Sequence, residues 1–162
     1  MTTLEFHEHF MRLALAEAER AAREGEVPAG CIIIQRPATP DALPRDVAIL
    51  AACHNQTESL KNPTAHAEML AISRASEIVG DWRLTDTVMY ITKEPCAMCA
   101  GAIVLARVPL VVYAFEDAKR GGVSLFNITG NVNLNHQPEM VSGVLREECL
   151  AHFQAFFKER RG

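Results

Sequence analysis

Apolar side chains return every three or four residues at Phe6, Phe10, Leu13, Ala14, Ala18 and Ala21, until Gly25 closes the pattern. That spacing predicts an amphipathic first helix over about 5–24. Two short apolar runs follow, 29–35 and 47–53, separated by a stretch with prolines at 37, 40 and 44 that argues against regular structure there. They read as a hairpin with an enlarged loop. Beyond Asn62-Pro63-Thr64 a helical pattern covers 65–78, with Thr64 as its candidate N-cap. Residues 87–92 read as a strand, 96–106 as a helix and 110–115 as a strand, followed by a loop holding Gly121 and Gly122. A last strand near 140–145 precedes a C-terminal helix over 146–160. This order builds one mixed five-stranded sheet with helices on its faces. Alternation of helix and strand after residue 64 favours parallel pairing of the later strands, which would start the helices at 65 and 96 along one edge.

A chain of 162 residues, 49% apolar, fits a single domain spanning 1–162. No apolar run reaches the length that crosses a bilayer, and the first residues lack the basic-then-apolar pattern of an export signal, so the expectation is a cytoplasmic protein without membrane contact. Five cysteines, an odd number, do not make a disulfide framework; Cys31, Cys53 and Cys149 sit among apolar neighbours and read as small buried hydrophobes. The net charge of −4 argues against indiscriminate nucleic-acid binding. Any basic surface is therefore local, with Lys119, Arg120, Lys158, Arg160 and Arg161 as candidates. The helix over 96–106 carries no charge at all, and a helix apolar all round needs cover on every side, which predicts self-association.

Two motifs carry chemistry: His66-Ala67-Glu68 and Pro95-Cys96-Ala97-Met98-Cys99. Cys96 and Cys99, three apart on a helix, share a face, and the helix start favours thiolates. With His66 they can hold a zinc ion through three protein ligands, leaving the fourth position for water. Glu68 is then the group that moves protons between water and substrate, which points to hydrolytic removal of an amine from a ring carbon. A structural zinc site completed by Cys53 or His54 is the competing reading. The paired pattern is the established signature of zinc-dependent base deaminases.

On these residues the chain resembles the cytidine-deaminase superfamily, and within it the bacterial tRNA-specific adenosine deaminases. The resemblance extends over residues 25–30 (GEVPAG), 62–68 (NPTAHAE), 82–86 (WRLTD), 94–103 (EPCAMCAGAI), Asp117-Ala118-Lys119 and 156–161 (FFKERR). It implies a three-layer α/β/α cytidine-deaminase-like fold, a homodimer, one zinc ion per subunit, and conversion of adenosine to inosine in a tRNA anticodon loop. By position it gives His66, Cys96 and Cys99 to the metal and the proton shuttle to Glu68. Asn55, Ala67, Asp117, Lys119 and Phe157 fall on the substrate side.

The chain also departs from the family's pattern. The 36–46 loop is long, Lys93 stands where an apolar residue normally precedes Glu94-Pro95-Cys96, Phe115-Glu116 replaces small residues, and residues 123–136 are unfamiliar. Two other functions stay open at this level: deamination of a free base or nucleoside, and a zinc-stabilised binding subunit without activity. Glu68 argues against the last, because a purely structural site has no use for a proton shuttle.

Overall fold

Thr2 opens the first helix, α1 (Thr3–Arg23). Its hydroxyl accepts the Glu5 N–H at 3.1 Å while the Glu5 carboxylate accepts the Thr2 N–H, satisfying two donors that a helix start leaves orphaned. The computed structural model describes residues 1–161. The hairpin follows as β1 (Gly30–Gln35) and β2 (Ile49–His54), and then α2 (Ala67–Val79), β3 (Thr87–Ile91), α3 (Ala97–Leu105), β4 (Leu110–Tyr113), β5 (Glu139–Ser142) and α4 (Arg146–Arg161). Every predicted element is present, within a few residues of the expected bounds.

The five strands form one sheet in the order β2-β1-β3-β4-β5. β1 runs antiparallel to both β2 and β3, whereas β3, β4 and β5 pair in parallel, as the alternation of elements leads one to expect. Side chains alternate between the two faces of the sheet. Cys31, Ile33, Met89, Ile91 and Val111 pack with Ala67, Ala71 and Ala75 of α2 and Ile103 of α3 on one face. Ile32, Ile34, Val88, Tyr90 and Val112 pack with Phe10, Met11 and Ala14 of α1 and Cys149 of α4 on the other. The result is a three-layer α/β/α architecture. At Gly30 a Cβ would overlap the backbone of Ala14 and Ala18, so only glycine lets α1 lie so close to the start of β1.

Two local expectations need correction. The prolines of the 36–46 loop do not exclude all regular structure: Pro44 starts a single 3-10 turn, Pro44–Asp46, because its fixed φ suits a first helical position. Thr64 does not cap α2; its N–H and hydroxyl both go to the Asn62 side chain, and the helix begins at Ala67. The charge-free helix is only partly covered by the chain itself. Ile103 and Val104 of α3 are buried, but Leu105 is 70% exposed.

All five cysteines are free; Cys31 and Cys149 are buried and Cys53 half-buried. Burial pushes the Cys149 thiol up to about 12. Among the described residues no helix is long and apolar enough to cross a membrane.

Candidate active site

β2 and β3 point the same way, so the segments leaving their C-terminal ends arrive at one edge of the sheet. His66 and Cys96 are the last extended residues before α2 and α3, with ψ of 153° and 176°. Both occupy N-cap positions without capping. Their side chains turn toward each other instead, and Cys99 joins them from the first turn of α3. The His66 Nδ1 lies 3.6 Å from the Cys96 Sγ and 3.5 Å from the Cys99 Sγ. All three ligand atoms fall within 4.8 Å of one another, the only such cluster among the described residues. Zn–S and Zn–N bonds of about 2.3 and 2.0 Å at a tetrahedral angle place sulfur and nitrogen about 3.5 Å apart, so the triad fits zinc.

The protonation states suit a cation as well. A hydrogen bond from the Cys99 thiol holds Cys96 down to about 4, and burial adds to that bond in pushing Cys99 up. The hydrogen bond to Cys96 raises His66 against the opposing effect of burial. Electron density gathered in this way, at two helix N-termini, is what a divalent ion would neutralise.

Glu68 stands in the first turn of α2, 5% exposed, and burial raises its carboxyl above the ordinary range. It belongs to a cavity of about 160 Å³ that also takes in His66, Cys96 and Asn55. Larger cavities lie between α1 and α4 and beneath the 36–46 loop, and neither contains a member of the triad. His54, the candidate fourth ligand of a structural site, is turned away toward α1. There Glu17 and Glu24 hold its two ring nitrogens at 3.3 and 2.7 Å.

Asn55 lines the cavity from the end of β2. Its backbone N–H donates to the Ala29 carbonyl at 3.0 Å and its amide donates to the Thr57 hydroxyl at 3.3 Å, so it is both a turn residue and a wall of the site. Ala67 does not line the cavity, because its methyl is packed in the core; as the first residue of α2 it can offer only a backbone N–H. Asp117 borders both this cavity and an adjoining groove, whereas Lys119 and Phe157 border the groove alone.

Two buried carboxylates that the sequence reading left without a role hold the walls in place. Glu26 accepts the backbone N–H groups of Glu58 and Ser59 at 2.8 and 2.9 Å, fixing the loop after Asn55. Burial would raise its carboxyl, but these bonds outweigh it and leave it lowered. Glu94 accepts the N–H groups of Asp117, Val123 and Ser124 at 3.1, 3.0 and 2.8 Å, and the Ser124 hydroxyl besides. A Cβ at Gly121 would strike the Glu94 carboxylate and the Asp117 carbonyl, which explains the glycine. The available signal for Glu94 was a carboxylate wedged between the apolar β3 strand and the metal motif. Glu94→Ala would strand three amide donors, and the expected loss is roughly 3 kcal/mol or more, read from urea unfolding.

Comparison with known proteins agrees with this geometry. The model of the cytidine and deoxycytidylate deaminase zinc-binding region matches residues 4–115. A tRNA-specific adenosine deaminase of Bacillus subtilis strain 168 is 44% identical over 156 residues, covering 95% of this chain and 90% of the relative. One of Streptococcus pyogenes serotype M1 is 40% identical over 160 residues, covering 98% and 88%. A solved structure from studies of A-to-I editing by tRNA:A34 deaminases at the wobble position of transfer RNA superposes with a TM-score of 0.80. It is 35% identical and covers 89% of this chain and 98% of its own.

Proposed function

The chain belongs to the family defined by the cytidine and deoxycytidylate deaminase zinc-binding region, and on that premise we propose that it is a zinc-dependent hydrolase converting adenosine to inosine in the anticodon loop of a tRNA. The observation that carries the chemistry is the His66, Cys96 and Cys99 triad at zinc spacing with the buried Glu68 carboxylate in the same cavity.

Zinc held by the triad supplies Lewis acidity and brings the ionisation of water near neutral pH. Glu68 takes a proton from the attacking water and passes it to the ring nitrogen beside the amine-bearing carbon. The water oxygen bonds to that carbon, and its second proton, carried by Glu68 to the amine, lets the carbon–nitrogen bond break and ammonia leave, so one water is consumed for each inosine formed. The raised Glu68 carboxyl suits a group that must both accept and return a proton. Asn55 faces the same space and offers its amide to the base.

The substrate reading rests on near full-length similarity to tRNA-specific adenosine deaminases, together with the shape of the site. The cavity shares Lys93, Asp117 and Arg120 with the groove beside it, leaving a path for the strand on either side of a flipped nucleotide. A free-base enzyme would call for a closed pocket. Zinc-loaded protein incubated with tRNA should yield inosine, detected by nucleoside analysis, and ammonia release from free bases should stay at background. No inosine at full zinc occupancy, with turnover of a free base, would overturn the reading.

We also infer that the protein works in the cytoplasm as a homodimer. Leu105 on the charge-free α3, with Gly101 and Ala102 half-exposed beside it, presents apolar surface to a second copy. Sedimentation at micromolar concentration reads this out, and a monomer would count against it.

A further inference from the structure

Lys93 leaves the end of β3 and projects its ammonium to the junction of the cavity and the groove, bordering both. The Lys93 Nζ lies 2.7 Å from the Asp117 Oδ2 and 4.6 Å from the centre of the Phe153 ring on α4. The side chains are 23% and 14% exposed, so the pair is sheltered without being sealed off. Asp117 does not need Lys93 to keep its loop in shape. Its other oxygen, Oδ1, accepts the N–H groups of Lys119 and Arg120 at 3.0 and 3.2 Å, and the loop backbone is pinned by Glu94.

An ammonium has three donors, and Asp117 occupies one. The groove of about 330 Å³ that Lys93 borders has Lys119, Arg120 and Arg161 as further cations, and Asp117 as its one acid. This local excess of positive charge sits in a chain whose net charge is −4. Such a surface attracts a polyanion to one place and not elsewhere.

We propose that Lys93 is a specificity-determining residue that takes the backbone phosphate next to the target nucleoside and thereby selects RNA over free bases. This rests on the RNA reading above. Asp117 and the Phe153 face aim the ammonium, and Arg at this position would do the same work.

The test is binding and turnover of an anticodon stem-loop RNA across a potassium chloride series, with wild type, Lys93→Met, Lys93→Arg and the Lys93→Met/Asp117→Asn double variant. Binding is measured in the Glu68→Ala background so that it is read apart from chemistry. Lys93→Met is expected to weaken binding about tenfold, the scale of one charged hydrogen bond. It should also flatten the logarithmic salt dependence by about 0.7, one phosphate contact on a single strand. Arg should restore both, and the double variant should stay weak.

An unchanged salt slope overturns the proposal, as does recovery of wild-type affinity in the double variant, which would mean that Lys93 merely neutralises Asp117. Tight, salt-dependent RNA binding by a wild type that makes no inosine would instead overturn the substrate reading, with Lys93 still judged by its slope. No RNA binding at all would overturn both.

Discussion

Glu68→Gln is expected to lower kcat for inosine formation by about a thousandfold, within the range that general acid–base groups contribute. Its zinc content should stay at that of the unaltered protein. The side chain is almost fully buried on the first turn of α2, beside the ligand set and outside it, because only the His66, Cys96 and Cys99 atoms converge. Glutamine fills the same volume and can still donate and accept hydrogen bonds, but it cannot carry a proton from water to the ring. Turnover is followed by inosine released on digestion of the RNA, and metal by elemental analysis of the same sample. Unchanged turnover would remove the proton shuttle from the mechanism. Loss of zinc would make Glu68 a ligand and require a different site.

His66→Ala is expected to abolish both zinc retention and activity. Loss of an outer-shell partner already weakens metal binding by about 10- to 100-fold, so loss of one of three protein ligands should exceed that. The same change carries a stability signature. A metal that binds only the folded chain adds its binding free energy to folding. A strong chelator should therefore lower the melting temperature of the wild type and leave His66→Ala where it is, since that variant has no ion to lose. Differential scanning fluorimetry with and without chelator distinguishes the cases. Equal chelator sensitivity in both proteins would mean that the ion sits elsewhere.

Much of this was legible in the chain alone, and the reasons are local. Period-3.6 spacing marked α1 and period-2 or continuous apolar runs marked the strands, because each element buries a face whose repeat its backbone dictates. The triad was legible because both motifs lie at the starts of elements that the sheet order brings together. Thr64 misled for an equally local reason: threonine is a favoured cap, but the Asn62 side chain captured it first, and His66 filled the cap position with its ring aimed at the sulfurs. Other features have no local signature. Lys93 meets Asp117 because β3 and β4 are parallel neighbours in register, Ile91 opposite Tyr113, so that the residues just beyond both strands converge. Glu26 shows its role only once the loop it holds is seen folded over it, and Glu94 shows beforehand only its place between β3 and the metal motif.

The carboxylate of Glu94 grips the chain at Asp117 and again at Val123 and Ser124. Everything between those points answers to the segment that carries β3 into the metal motif, and Leu125, Phe126 and Ile128 lean on it in turn, their N–H groups donating to the Gly121 and Gly122 carbonyls. A backbone shift at 125–128 is thus transmitted, through Gly121 and Gly122, to the loop that walls the cavity at Asp117 and Arg120.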